Sequence, residues 1–120
     1  MAGEIALEIT INADTVVVAF KSASLSDVDG IANASDQIKE FIDKNQPKKL
    51  VFDFEGVKFF SSQVLGLLLD IRTRMGKYNG EIVISAINPQ LHRVFKITNL
   101  DKVFEFFPDK ESALKIISTD

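Results

Sequence analysis

The stretch Val51-Phe52-Asp53-Phe54-Glu55-Gly56-Val57-Lys58-Phe59-Phe60-Ser61-Ser62-Gln63-Val64-Leu65-Gly66-Leu67-Leu68-Leu69 runs through a strand, a crossover and the start of an apolar helix. Leu50 to Phe54 is a short apolar run, the kind buried in the middle of a sheet. Asp53 closes that strand, and Val57 to Phe60 links onward, bringing Phe59 and Phe60 toward the core. Ser61 or Ser62 caps the next helix, which extends to about Met75 and stops near Gly76. At 100° per residue, Val64, Leu67, Leu68, Ile71 and Met75 share one arc and face inward. Leu65 and Leu69 fall on the shoulder of that arc, beside Arg72. There they either widen the buried face or offer an apolar strip to a partner protein.

Upstream, Ile5, Leu7, Ile9 and Ile11 alternate with Ala6, Glu8 and Thr10, a period of two that marks a half-buried strand over 4–11. Asn12-Ala13-Asp14 is turn chemistry, and Thr15 to Phe20 is a second strand rich in β-branched residues. The short connection predicts an antiparallel hairpin. Ser26-Asp27-Val28-Asp29 reads as a helix start, with Ser26 as the cap and Val28, Ile31, Ser35, Ile38 and Ile42 as the inward stripe, Phe41 beside it. Gly30 and Asn33 weaken its first turns, and Pro47 ends it.

Downstream, Lys77 to Gly80 is a turn and Glu81 to Ala86 a buried strand. Asn88-Pro89 is a capping residue followed by proline at the first helical position; that helix turns Leu91, Val94 and Phe95 inward. Val103 to Phe106 is a last short strand. Pro108-Asp109 opens a terminal helix with Ala113, Leu114 and Ile117 inward. The order β-β-α-β-α-β-α-β-α predicts an α/β fold: a mixed, mostly parallel sheet opened by an antiparallel hairpin. Open sheets of this class work at the carboxyl ends of their strands, here Ser22–Ser26, Asp53–Glu55 with Ser61–Gln63, and Ile87–Asn88.

With 120 residues, 46% of them hydrophobic and 26% charged, the chain is expected to fold as one domain over 1–120. It has no cysteine and one histidine, His92, so neither a thiolate metal site nor a histidine-based zinc site is available and no metal or other cofactor is expected. The net charge of −3 gives no general attraction to nucleic acid. No run reaches the ~18 apolar residues of a membrane span, and Met1 to Ile5 lacks a signal-peptide pattern. A cytoplasmic location is the expectation.

The sequence offers little for catalysis. His92 has no marked-out carboxylate relay or oxyanion hole, and there is no Gly-x-Ser-x-Gly elbow, phosphate loop or dinucleotide fingerprint. Asp53 sits where phosphoryl-accepting receiver domains place an aspartate, but the opening hairpin lacks their acidic, magnesium-binding pair. Asp53 is expected instead to accept backbone N–H bonds from the crossover and the Ser61–Ser62 turn. Between residues 72 and 96, Arg72, Arg74, Lys77, Arg93 and Lys96 stand against a single acid, Glu81. That bias fits solvated surface or the steering of an acidic partner. Serines at a helix N-terminus either cap it or carry a charge switch, because free N–H groups and the helix dipole accommodate phosphate there.

Taken in order, four segments resemble the STAS family, the fold of bacterial anti-sigma factor antagonists. They are the Leu50-Val51-Phe52-Asp53-Phe54 strand, the Val57 crossover, the Ser61-Ser62-x-x-Leu65-Gly66 helix start, and the run from Asn88-Pro89 through Val94-Phe95-Lys96-Ile97-Thr98-Asn99-Leu100 to Val103-Phe104. The resemblance covers nearly the whole chain. It implies a non-enzymatic module that binds an anti-sigma factor or serine kinase protein and frees a sigma factor. The net charge gives no expectation of direct nucleic-acid contact, and the apolar, Phe-rich strands leave a monomer or a weak homodimer as the expected state. In the phosphorylated members the helix opens Asp-Ser-Ser/Thr-Gly. Here those positions hold Ser61, Ser62, Gln63 and Val64, so the usual acceptor is a glutamine. The resemblance therefore moves the phosphate to Ser62 or, second, Ser61. Alternatively it implies a scaffold, or a subunit of a lipid-transport machine, with no phosphate switch. The implied partner surface joins Ser26 and Asp27 to Asp53, Ser61, Ser62 and Gln63. Leu65, Leu69 and Asn88 complete it.

Overall fold

A computed structural model describes residues 5–117, with side chains through Lys115. Strands β1 (Leu7–Asn12) and β2 (Thr15–Phe20) form the opening hairpin, turning at Ala13, whose φ of 57° is left-handed. β3 (Ser24–Leu25) leads into α1 (Val28–Asn45), and β4 (Lys49–Asp53) follows. β5 (Phe59–Phe60), α2 (Ser62–Gly76), β6 (Glu81–Ser85) and α3 (Pro89–Ile97) come next. A 3-10 turn (Leu100–Lys102), β7 (Glu105–Phe107) and α4 (Lys110–Ile117) complete the order.

The main sheet runs β1-β2-β4-β6-β7, with β1 antiparallel to β2 and every other pair parallel. This is the mixed, hairpin-opened α/β sheet expected from the alternation of elements. One face carries Val16, Val18, Phe20, Leu50, Phe52 and Ile84, packed against α1, α2 and α3. On the other, the in-register row Val17, Val51 and Val83 packs with Ala113 and Leu114 of α4. Being covered on both faces, β4 has no polar alternation, which is why Leu50 to Phe54 reads as a continuous apolar run. A chain of rings crosses the larger core: Phe20 lies 5.1 Å from Phe54, Phe54 6.0 Å from Phe60, and Phe60 5.9 Å from Phe95. Ile117 of the expected inward stripe lies outside the described side chains.

Several local expectations change. β3 and β5 form a separate two-stranded parallel sheet, too short to leave a periodic signal. Successive strand residues face opposite ways, so Phe60 is buried while Phe59 is 54% exposed; the two aromatics do not both enter the core. Asp27, not Ser26, caps α1, accepting from the Gly30 N–H at 2.7 Å. The buried stripe of α1 is Gly30, Ile31, Ala34, Ile38 and Ile42, centred nearer to the small residues Gly30 and Ala34 than the expected one. Val28 is left 63% exposed and Ser35 only half-buried. Ile11 is also exposed, at the sheet rim. After α3, the Phe104 N–H bonds back to the Leu100 carbonyl, which delays the last strand from Val103 to Glu105. Ion pairs Lys39–Asp70 and Arg74–Asp43 link α1 to α2; at such exposure each contributes at most about 1 kcal/mol.

Candidate functional site

The small β3–β5 sheet decides which surface the helix starts share. The Ala23 carbonyl accepts from the Lys58 and Phe59 N–H groups, and the Leu25 carbonyl accepts from Ser61 N–H at 3.0 Å. Each of these strands runs directly into a helix, so the N-termini of α1 and α2 emerge side by side. The Gln63 amide reaches the Val28 carbonyl across the gap at 3.5 Å. Behind this contact, Ile31, Ala32, Ser35, Gly66 and Leu67 line an open groove of about 370 Å³ between the two helices.

The two serines at the start of α2 differ. Ser61 is the N-cap residue by backbone geometry, yet its side chain makes no cap bond. Its Oγ is buried and has no hydrogen-bond partner. Ser62, the first residue of the helix, is exposed, as is Gln63. A hydroxyl at Ser62 can meet another protein; the Ser61 hydroxyl cannot without local opening. Ser26 is exposed with its Oγ 3.0 Å from that of Ser24.

Other anticipated contact residues serve the fold. Asp53 is only 4% exposed and lies in the register row Ala19–Asp53–Ser85. Its carboxylate accepts from the Glu55 N–H at 3.2 Å and the Ser85 hydroxyl at 3.3 Å. The crossover bond matches the expectation, but the second partner is Ser85 on the neighbouring strand, not the Ser61–Ser62 turn. Gly56 turns the crossover with a φ of 85°, a conformation that favours glycine. Asn88 caps α3 by accepting from Leu91 N–H at 2.9 Å, and its own amide donates to the Val57 carbonyl at 3.0 Å. Leu65 is buried and Leu69 half-buried against the core, so they widen the buried face of α2 and Leu65 cannot be an exposed strip.

In their place the surface presents Val28 and Phe59, which the sequence reading had turned inward. Val28 follows the α1 cap, and Phe59 precedes Phe60 on the strand that leads to Ser62. Like Ser26, Ser62 and Gln63, they are exposed on the segments that lead into the N-termini of α1 and α2. Among the described residues there is no group of three or more His, Asp or Glu side chains arranged to hold a metal. Nor is any helix there long and apolar enough to cross a membrane.

The family model for the STAS domain matches residues 7–113. The chain belongs to the STAS family. This STAS chain is similar to an anti-sigma F factor antagonist of Paenibacillus polymyxa, 26% identical over 78 residues that cover 65% of this chain and 67% of that one. An anti-sigma factor antagonist from Mycobacterium paratuberculosis superimposes with a TM-score of 0.81 at 25% identity, covering 95% of this chain and 94% of the other. The fold also matches the anti-sigma factor antagonist SpoIIAA in its unphosphorylated form, with a TM-score of 0.76 at 18% identity over 97% of this chain and 99% of that one. SpoIIAA from Bacillus in its phosphorylated form matches with a TM-score of 0.71 at 19% identity, over 92% and 99%.

Proposed function

We propose that this STAS protein is an anti-sigma factor antagonist that works by binding, not by catalysis. Its partner is an anti-sigma factor with serine kinase activity, docked on the paired starts of α1 and α2 and modifying Ser62. The observation that carries this reading is the exposure of Ser62 at the N-terminus of α2, with the exposed apolar side chains of Val28 and Phe59 on the segments beside it. The likeness to antagonists, one of them known in a phosphorylated form, supports it. Phosphate on Ser62 adds ~1.5–2 negative charges. The helix dipole accommodates that charge within the free chain, whereas a partner packed on Val28 and Phe59 must desolvate it. Phosphorylation therefore releases the partner.

A second reading, constitutive binding without a switch, is favoured by Gln63 at the usual acceptor position and by its contact with the Val28 carbonyl. One experiment separates the two. The chain is incubated with the anti-sigma kinase it captures and with ATP, phosphate is mapped by mass spectrometry, and binding is measured with and without ATP. Phosphate on Ser62 with ATP-dependent release supports the switch; an unmodified Ser62 with ATP-independent binding supports the scaffold.

A further inference from the structure

The outer side of β1 is one margin of the five-stranded sheet, and among the described residues no strand pairs with it. The Lys21 N–H donates to the Ala6 carbonyl at 2.8 Å, which sets the phase of the β1–β2 ladder. Hydrogen-bonded pairs alternate along antiparallel strands. In the observed register Glu8, Thr10 and Asn12 therefore bond to Ala19, Val17 and Thr15, while Leu7, Ile9 and Ile11 turn their N–H and C=O groups outward. The same three side chains form an apolar row on the side of the sheet that α1, α2 and α3 cover: Leu7 and Ile9 half-buried, Ile11 61% exposed. Free edges are ordinarily blunted by short length, proline or charge. The opposite edge, β7, is only three residues long. β1 has six residues, no proline and a single charge, Glu8, which lies 3.6 Å from Lys21.

We propose that this edge pairs with β1 of a second copy of the chain, antiparallel about a two-fold axis at Ile9, so that the sheet continues across a dimer. The strand is complementary to itself in that register. Leu7 meets Ile11 and Ile9 meets Ile9, so the residues with outward backbone groups face one another and satisfy their hydrogen bonds reciprocally. On the other face Glu8 falls opposite Thr10, and no like charges meet. Such an isologous contact closes after two copies. It buries little beyond one strand pair, less than a standard interface, so the dimer dissociates on dilution. The surface is separate from the Ser62 site, and the two proposals stand independently.

Sedimentation equilibrium on the full chain, from micromolar to about millimolar concentration, tests it. The mass is expected to climb from 13.3 kDa toward twice that value. Thr10→Glu places a carboxylate opposite Glu8 at both symmetry-related positions and is expected to weaken the dimer at least about tenfold. Adding Glu8→Lys makes those pairs opposite in charge and restores it. Ile9→Pro, which removes an outward N–H on an edge strand, also abolishes the dimer, with folding checked by circular dichroism. A constant mass of 13.3 kDa overturns the proposal, as does a dimer indifferent to Thr10→Glu or not rescued by Glu8→Lys.

Discussion

Ser61 and Ser62 are neighbours in sequence with opposite exposure: the Ser61 hydroxyl is buried without a partner, and Ser62 faces solvent. Helix geometry accounts for the difference. The N-cap residue is still held by the β3–β5 sheet through its N–H, and the next residue has already turned ~100° away.

Replacing Ser61 by alanine removes a hydroxyl that is desolvated and unpaired. The expected result is unchanged or increased stability, by up to ~1 kcal/mol, with partner binding intact. Urea denaturation and a binding titration check both halves. Ser62→Asp is expected to stabilise the start of α2 by ~0.3–1 kcal/mol through the helix dipole while weakening the partner complex.

Asp53 holds the crossover by accepting from the Glu55 N–H and the Ser85 hydroxyl. Asp53→Ala leaves both donors without their acceptor in a buried site. A loss of ~2–3 kcal/mol is expected in urea denaturation. Removing Ser85 at the same time should cost less than the sum of the separate losses, since the two share one hydrogen bond.

Substitutions at Val28 and Phe59 test the proposed binding surface apart from folding. Val28→Ser and Phe59→Ser are expected to change stability by no more than ~0.5 kcal/mol and to reduce partner affinity at least about tenfold, as for anchor residues at an interface. Leu68→Ala, in the core, is expected to cost ~2–5 kcal/mol of stability. Thermal melts alongside binding titrations distinguish the two patterns.

Two groups tie stability to pH. Burial, and secondarily the Asp43 carboxylate, raises the Tyr78 phenol above its usual range. The folded state thus favours the neutral phenol; that contribution is complete below the unfolded value of about 10 and is lost as pH rises through the folded one. Tyr78→Phe is expected to flatten the alkaline limb of stability against pH. Asp109 is held below the usual carboxylate range by the backbone N–H and side chain of Ser112. Its contribution is present above the unfolded carboxylate value and disappears as pH falls through the folded one. Asp109→Asn is expected to remove that part of the acid dependence, read as helical signal lost at low pH.

How much was legible in the sequence depended on whether an element repeats a pattern. The Thr15–Phe20 and Leu50–Phe54 runs, the Val64 to Met75 arc and the Asn88-Pro89 cap each state their own environment, and the sheet followed from their order. β3 and β5 have two residues each, too few to show a period, so the inward reading of Phe59 had nothing to correct it. Val28 was misjudged because the buried arc of α1 extends over the small residues Gly30 and Ala34, which carry little hydrophobic signal, and leaves Val28 beyond its other edge. Of the candidate site residues, Ser62 and Gln63 lie on the exposed surface, while Asp53, Leu65 and Asn88 serve strand, core and cap. Hydrogen bonds from Ser85 and to Val57 decide two of those roles, and they join residues about thirty positions apart.

The most direct measurement is titration calorimetry of the chain with the anti-sigma kinase proposed as its partner, comparing unmodified protein, protein phosphorylated at Ser62, and Ser62→Asp. The expected result is clear binding by the unmodified chain and a loss of at least about tenfold in affinity for the other two, equivalent to ~1.4 kcal/mol. Equal affinity in all three would contradict the assignment of Ser62 as the switch at this surface.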